Sequence, residues 1–452
     1  MDSELTQQQE LFPASKLKRL LIPLIIEQLL SMTIGMADTV MVTRVGEAAV
    51  SGVSLVDAIN ILLIQVFAAL ATGGAVVAAQ YLGRRDTESA CSSAKQLIHA
   101  AGLVSILIAV LSVIFRGQIL SAVFGSVDAD VMDNAMIYFL LTALSFPGIA
   151  IYNCGAALFR SMGNSKVSMF TALGINILNV CGNAILIFGF DLGVKGAGIA
   201  TLVSRTAAGI TMLILISRRH NIIHVDEIWK PEFHSGMLGS ILKVGVPNGM
   251  ENGLFQVGKL LLQRLIVSFG TVAIAANAVA NSISSVVDVT GNAVALALIT
   301  VVGQCVGAHQ PDQAVGYTRK MMKLVYLCMG TLNICMFIFA RQLMGLFALT
   351  PETTELGITI LHYCAVFSMT IWPTAFVLPN ALRAAGDAKF TMMVSVTSML
   401  VFRIGFSYLF CLVFHMGLLG VWFAMFLDWI IRAIVFEVRF RRGRWKTKQI
   451  IK

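Results

Sequence analysis

Twelve mostly apolar stretches follow one another along this 452-residue chain, with few charges inside any of them. They fall at about 17–41, 50–82, 93–115, 135–158, 167–190, 196–217, 238–267, 274–306, 321–340, 357–382, 390–413 and 417–438. A bilayer-spanning helix needs about 20 such residues, and a helix satisfies its own backbone where no water is present. The expected fold is therefore all-α and polytopic, with twelve transmembrane helices in two pseudo-symmetric six-helix bundles. Composition agrees: 13% of residues are charged, against about 25% in a soluble domain. The first fifteen residues are polar and the run from Leu17 is too long for a signal h-region, so the first helix is expected to stay in the chain. The eight cysteines show no paired spacing and no histidines at metal-ligand intervals, which marks them as small buried hydrophobes.

The longest polar break, Arg218 to Gly236, divides the chain into lobes 1–217 and 237–452 joined by a linker, 218–236. Orientation follows from the basic residues, since cytoplasmic loops retain Lys and Arg. With a cytoplasmic N-terminus, 22 of the 33 basic residues fall on the inside, counting Arg160 and Arg383 in inside loops, and four fall outside. Both termini are thus expected in the cytoplasm of a cell bounded by this membrane. The same asymmetry explains the net charge of +9, so the basic tail after residue 438 reads as a lipid-headgroup contact and no nucleic-acid partner is implied.

The two lobes repeat each other. The offset that carries Pro23 onto Pro247 also carries Glu27 and Gln28 onto Glu251 and Asn252, Gln80 and Gly83 onto Gln304 and Gly307, and Gly193, Gly196 and Ala200 onto Gly417, Gly420 and Ala424. In the middle of the lobes an offset shorter by one position aligns Phe124 with Phe347, and Arg160, Gly163 and Lys166 with Arg383, Gly386 and Lys389. Six spans per copy give parallel repeats about an axis along the membrane normal. Such transporters hold substrate between the repeats near the midplane and rock one half against the other. One chain carrying both halves is expected to work as a monomer.

Polar residues inside the membrane are expensive and serve as functional candidates by default. On the first helix Gln28, Ser31, Gly35 and Asp38 form one stripe at spacings of three and four, and Asp38 lies about 15 Å further along the axis than Glu27. The seventh carries Asn248, Asn252, Gln256, Lys259 and Gln263, flanked by Glu251; the eighth carries Asn277, Asn281, Ser284, Asp288 and Asn292. Arg403, Asp428 and Arg432 complete the second-half set. Asp428 and Arg432, one turn apart, can pair. Three acids (Glu251, Asp288, Asp428) then face three bases (Lys259, Arg403, Arg432), enough for a mutually neutralised network. Asp38 is the candidate site for a sodium ion or a proton.

Gly253 to Lys259 imitates a phosphate-binding loop, but Leu260 follows in place of Ser or Thr and no strand precedes it. With no nucleotide site, no cofactor is expected and an ion gradient, Na+ or H+, is left as the driving force. The absence of His-Glu-x-x-His, of paired protease aspartates and of a nucleophile elbow speaks against an enzyme.

Leu21 to Leu30 (LIPLIIEQLL), Ala37 to Val42 (ADTVMV), Ala79 to Arg84 (AQYLGR), Asn176 to Gly189 (NILNVCGNAILIFG) and Gly196 to Thr201 (GAGIAT) resemble the multidrug and toxic compound extrusion (MATE) family along the whole chain. The resemblance implies antiport: export of organic, often cationic, small molecules from the plasma (inner) membrane, driven by inward Na+ or H+ through alternating access. It also implies a first-half ion site at Asp38, Asn179, Asn183 and Thr201. Many members have an aspartate at Asn183 and some a tyrosine at Ile34, leaving Asp38 the single carboxylate of that group. Members that couple in the second half use an acid about one turn beyond Glu251, where this chain has Phe255, so Glu251 would have to substitute. The alternatives within transport are a lipid-linked-precursor flippase, which the even balance of intramembrane charges disfavours, and an exporter of one metabolite.

Overall fold

The computed structural model describes residues 10–125, 128–228, 230, 232–347, 349–448 and 450–451, and gives 34–39 as helix backbone alone. Among the described residues the chain is helical with no strand, and twelve helical segments are long enough to cross a bilayer. They are α1 (Ala14–Thr43), α2 (Glu47–Gly83), α3 (Thr87–Ile114), α4 (Ala129–Leu144 with Phe146–Ser161), α5 (Ser165–Gly189) and α6 (Gly193–Ile216) in the first lobe. The second lobe holds α7 (Ser235–Val267), α8 (Thr271–Gly307), α9 (Pro311–Ile338), α10 (Pro351–Thr370 with Pro373–Ala384), α11 (Ala388–Val413) and α12 (Gly417–Arg441).

Eight of these pass as apolar spans on hydropathy alone, and α4 and α10 pass once their bent halves are joined. The bends, 45° in α4 and 59° in α10, sit just before Pro147 and Pro373, where the ring removes a backbone donor and crowds the preceding turn. Helix α7 falls outside the apolar set because it carries a polar stripe. It is long enough to span and dilutes its hydropathy with side chains that need a wet or polar neighbour.

The repeat is visible in the backbone. The offset from Pro23 to Pro247, applied to the far ends of α1, α2 and α3, lands on those of α7, α8 and α9: Thr43 on Val267, Gly83 on Gly307 and Ile114 on Ile338. The left-handed turn at Gly46 (φ 137°) returns at Gly270 (φ 89°), a conformation a side chain would strain. Outward faces are apolar: Leu103, Ile106, Leu107, Val110 and Ile114 stand exposed along α3, and Leu327, Ile334 and Ile338 along α9. Bare stripes of this length would aggregate in water and are matched to acyl chains.

The lobes meet along a seam at the end of the molecule that carries both termini. Gln80 of α2 donates to the Ala384 carbonyl at 2.8 Å and its repeat partner Gln304 of α8 donates to the Ser161 carbonyl at 2.6 Å. Gly83 lies on the Gln304 backbone and Gly307 on the Gln80 backbone, so closely that a Cβ on either would overlap the facing carbonyl oxygen. The residues that marked the repeat in the sequence are those that cross it in space.

The termini strap this end. Phe12 is buried edge-on against Tyr317 of α9, and its N–H donates to the Tyr317 hydroxyl at 3.0 Å. In the tail, Trp445 is fully buried and stacks on Phe440, while Ile450 and Ile451 enter the apolar cluster of Val76, Val77 and Leu97 in the first lobe. Three of the tail's cations are tied to protein: Arg439 and Lys448 to the fully buried Asp387, and Lys446 to Asp312. Those three are occupied by carboxylates, which narrows the headgroup patch expected of the tail, while Arg442 and Arg444 stay exposed. Trp445→Ala is expected to cost about 3 kcal/mol, as large-to-small changes at buried aromatics do. A lower melting temperature in detergent checks it, with the exposed Arg444→Ala as the neutral control.

Candidate functional site

Between the lobes, beyond the seam, lies a cleft of about 480 Å³ lined by Gln28 of α1, Gln65 and Thr72 of α2, and Asn248, Glu251, Asn252, Phe255, Gln256 and Lys259 of α7. The α7 stripe therefore faces a cavity, as its spacing of three and four requires. Asn292 of α8 and Asn380, Arg383 and Arg432 complete the wall on the second-lobe side.

Two ion pairs related by the repeat stand on the helices around this cleft. Arg160 Nη1 donates to Glu27 Oε1 at 2.8 Å, and Arg383 Nη2 to Glu251 Oε1 at 2.6 Å. Each joins the first helix of a lobe to the last turn of that lobe's fourth segment. In the first lobe Ser168 also donates to Glu27 Oε2 at 2.6 Å, so both carboxylate oxygens are engaged. In the second, Asn380 Oδ1 accepts from Arg383 at 2.9 Å, while Glu251 Oε2 is buried without a hydrogen-bond partner. Arg160 and Arg383 were counted as inside-loop charges; their guanidinium groups instead turn back into the protein, where a carboxylate compensates the loss of water. An Arg-x-x-Gly repeated in both halves was the signal that could have found them.

The expected three-against-three network is arranged differently. Asp428 pairs with Arg432 at 2.8 Å, as the one-turn spacing implied, accepts from Ser398 at 2.5 Å, and lies 3.8 Å from Arg403. Glu251 belongs to Arg383. Lys259 and Asp288 form no ion pair within 4 Å among the described residues; the Lys259 ammonium lies 5.2 Å from the Phe255 ring centre. Arg403 at 5.0 Å and Arg432 at 5.7 Å share that ring. Phe255 thus presents a negative quadrupole face to three cations.

In the first lobe, Asn183 Nδ2 donates to Asn179 Oδ1 at 3.3 Å, and Asn179 Nδ2 to the Thr201 hydroxyl at 3.4 Å, all three residues being buried. These side chains come together from α5 and α6. Asp38 lies in α1, but its side chain is outside the described residues. A further intramembrane acid, Asp57 of α2, escaped the sequence reading; Asn60, one turn on, donates to it at 3.4 Å. Among the described residues no group of three His, Cys, Asp or Glu could hold a metal ion.

A family model, MatE, matches the chain twice, over residues 23–185 and 247–409. The chain belongs to the MatE family. Both ends of the second match are displaced equally from those of the first, by the repeat offset read in the sequence. This MATE chain is 29% identical over 435 residues to an uncharacterised transporter of Bacillus subtilis, YisQ, covering 94% of each chain. It is 24% identical to a probable multidrug resistance protein, NorM, of Thermotoga maritima, covering 96% of this chain and 94% of that one. Its fold superposes with a TM-score of 0.89 on an outward-facing multidrug resistance MATE transporter at 20% identity, covering 96% of both chains. The protein is a multi-pass membrane transporter.

Proposed function

We propose that this MATE protein is a secondary active antiporter that exports organic compounds across the plasma membrane in exchange for Na+ or H+, working as a monomer by alternating access. Both termini lie in the cytoplasm on this reading, so the Gln80–Gln304 seam closes the inner side and the interlobe cleft faces outward. The observation that carries the reading is the buried chain Asn183–Asn179–Thr201. Neutral oxygens gathered away from water replace the hydration shell of a small cation. Asp38, in the same lobe, supplies the charge that a sodium ion or a proton neutralises. Since the cation and the substrate favour different states of the two lobes, the gradient of one drives the other. The names of the NorM relatives suggest export of diverse compounds, and this cleft offers such cargo many amide donors and acceptors beside the Phe255 and Phe376 rings.

The test is transport in proteoliposomes with sodium and proton gradients imposed separately. Asp38→Asn is expected to abolish gradient-driven transport while leaving substrate binding intact. Undiminished driven transport by Asp38→Asn removes the first-lobe coupling site, and an inert sodium gradient at constant pH assigns the coupling to protons.

A further inference from the structure

Inside the second lobe, α7, α8, α11 and α12 enclose a pocket of about 350 Å³ that shares Lys259 with the interlobe cleft. Its polar lining is Lys259, Arg403, Gln263, Asn277 and Asn281, with Trp422 and Met425 on the apolar side. No carboxylate lines it. Trp422 Nε1 and Asn281 Nδ2 both donate to Asn277 Oδ1, at 3.1 and 3.0 Å, which takes up that oxygen.

Charge counting around the cleft and pocket points the same way. Bringing Arg383 into the protein gives four bases, Lys259, Arg383, Arg403 and Arg432, against Glu251, Asp288 and Asp428. Glu251 is bound to Arg383 and Asp428 to Arg432, each within 2.8 Å. Asp288 lies on neither wall and acts on Lys259 only from beyond ion-pair distance. Two cations therefore face the pocket with weak compensation: Lys259, held over Phe255, and Arg403, whose contact with Asp428 at 3.8 Å is beyond hydrogen-bonding distance and whose Nε is buried without a partner. Cations held close together in a partly dry site lower their energy by admitting an anion, and a carboxylate suits the guanidinium fork.

We infer that this pocket takes substrates with an anionic head, a carboxylate above all, on an apolar aromatic body, Lys259 and Arg403 binding the head and Trp422 and Met425 the body. A purely cationic substrate would meet two like charges and no carboxylate. The inference rests on the reading of the chain as an exporter whose substrate path is the cleft, and it reverses the cationic class that the family resemblance implies.

A matched pair of probes tests it: 2-naphthoate and 2-naphthylmethylammonium, alike in body and opposite in charge. Equilibrium binding is measured on the purified full chain in phosphatidylcholine nanodiscs, without any gradient. Naphthoate is expected to bind at least about tenfold more tightly than the ammonium. Lys259→Gln, at an exposed position, is expected to weaken naphthoate about tenfold or more, as loss of a charge-assisted hydrogen bond does, while leaving the ammonium unchanged or tighter. Arg403→Lys, which keeps the charge and removes the fork, gives an intermediate loss. Equal or tighter binding of the ammonium, or an indifferent Lys259→Gln, overturns the inference. So does displacement of naphthoate when phosphatidylglycerol replaces part of the bilayer, because the site then belongs to a lipid phosphate. Binding is read without transport, so naphthoate binding in a chain that shows no gradient-driven exchange removes the antiport reading and leaves the pocket standing.

Discussion

Glu251→Ala is expected to destabilise the protein by about 3–5 kcal/mol, the range for removing one partner of a buried ion pair, and to abolish transport. The cause is the Arg383 guanidinium left behind. It is bonded to Glu251 at 2.6 Å and to Asn380 at 2.9 Å, and without the carboxylate it holds an uncompensated charge against a partly dry cleft. Arg383→Ala strands the Glu251 carboxylate, one of whose oxygens already lacks a partner, with a loss of similar size. The double variant Glu251→Ala/Arg383→Ala is expected to lie nearer to wild type than either single one, because it removes both buried charges together. Thermal unfolding in detergent measures the cycle. Simple additivity of the two losses would show that the pair does not interact and that each residue is held by something else. The same cycle on Glu27 and Arg160 is expected to show larger single losses at Glu27, which is also bonded by Ser168.

This pairing marks a boundary of what the sequence makes legible. Helix number, the duplication and the cleft-facing side of α7 follow from the helical period and from the long repeat, which are properties of the chain read in order. Who pairs with whom across helices is not. Glu27 and Arg160 stand far apart in the chain on different helices, and no local rule sets the rotation and tilt of α1 against the end of α4. Asp428 and Arg432 were paired correctly because they share one helix turn, where geometry is fixed by the backbone.

The tail shows the same limit from another side. A run of Arg and Lys after the last span reads as a headgroup patch when only its charge is visible. Its apolar residues, Trp445, Ile450 and Ile451, were the signal of a packed segment, and their burial carries the neighbouring cations to Asp387 and Asp312. Arg383 likewise sits in the last turn of a helix, where a basic residue reads as a loop charge until its carboxylate partner is seen. Restoring it shifts the second-lobe charge from balanced to positive, and that correction is what turns the expected substrate class from cation to anion.

The seam gives the second large effect. Gly83 and Gly307 are repeat partners, and each lets its helix approach the glutamine backbone of the other lobe until there is no room for a Cβ. Closure of this end therefore depends on two contacts related by the pseudo-twofold axis. A side chain at either cannot be absorbed by a rotamer change, since the obstacle is a backbone carbonyl in a packed seam. Gly83→Val is expected to raise the energy of the closed seam by about 1–3 kcal/mol, the range for overpacking, and Gly83→Val/Gly307→Val to cost less than the sum, because both contacts lie in one crossing of the same two helix turns and one displacement relieves both. Where rocking of the lobes opens this end, the population moves toward the open state by about 5- to 150-fold for the single substitution. Val76, fully buried beside the seam, reports the shift: Val76→Cys, in a chain whose native cysteines are replaced, is expected to be labelled faster from the side of the termini when Gly83 carries a side chain. Driven export should fall in step while the lobes stay folded, because an exporter that cannot close this end lets its cargo return. Unchanged labelling with full transport would mean that the seam is not a gate, and the movement between states would have to be sought within a lobe.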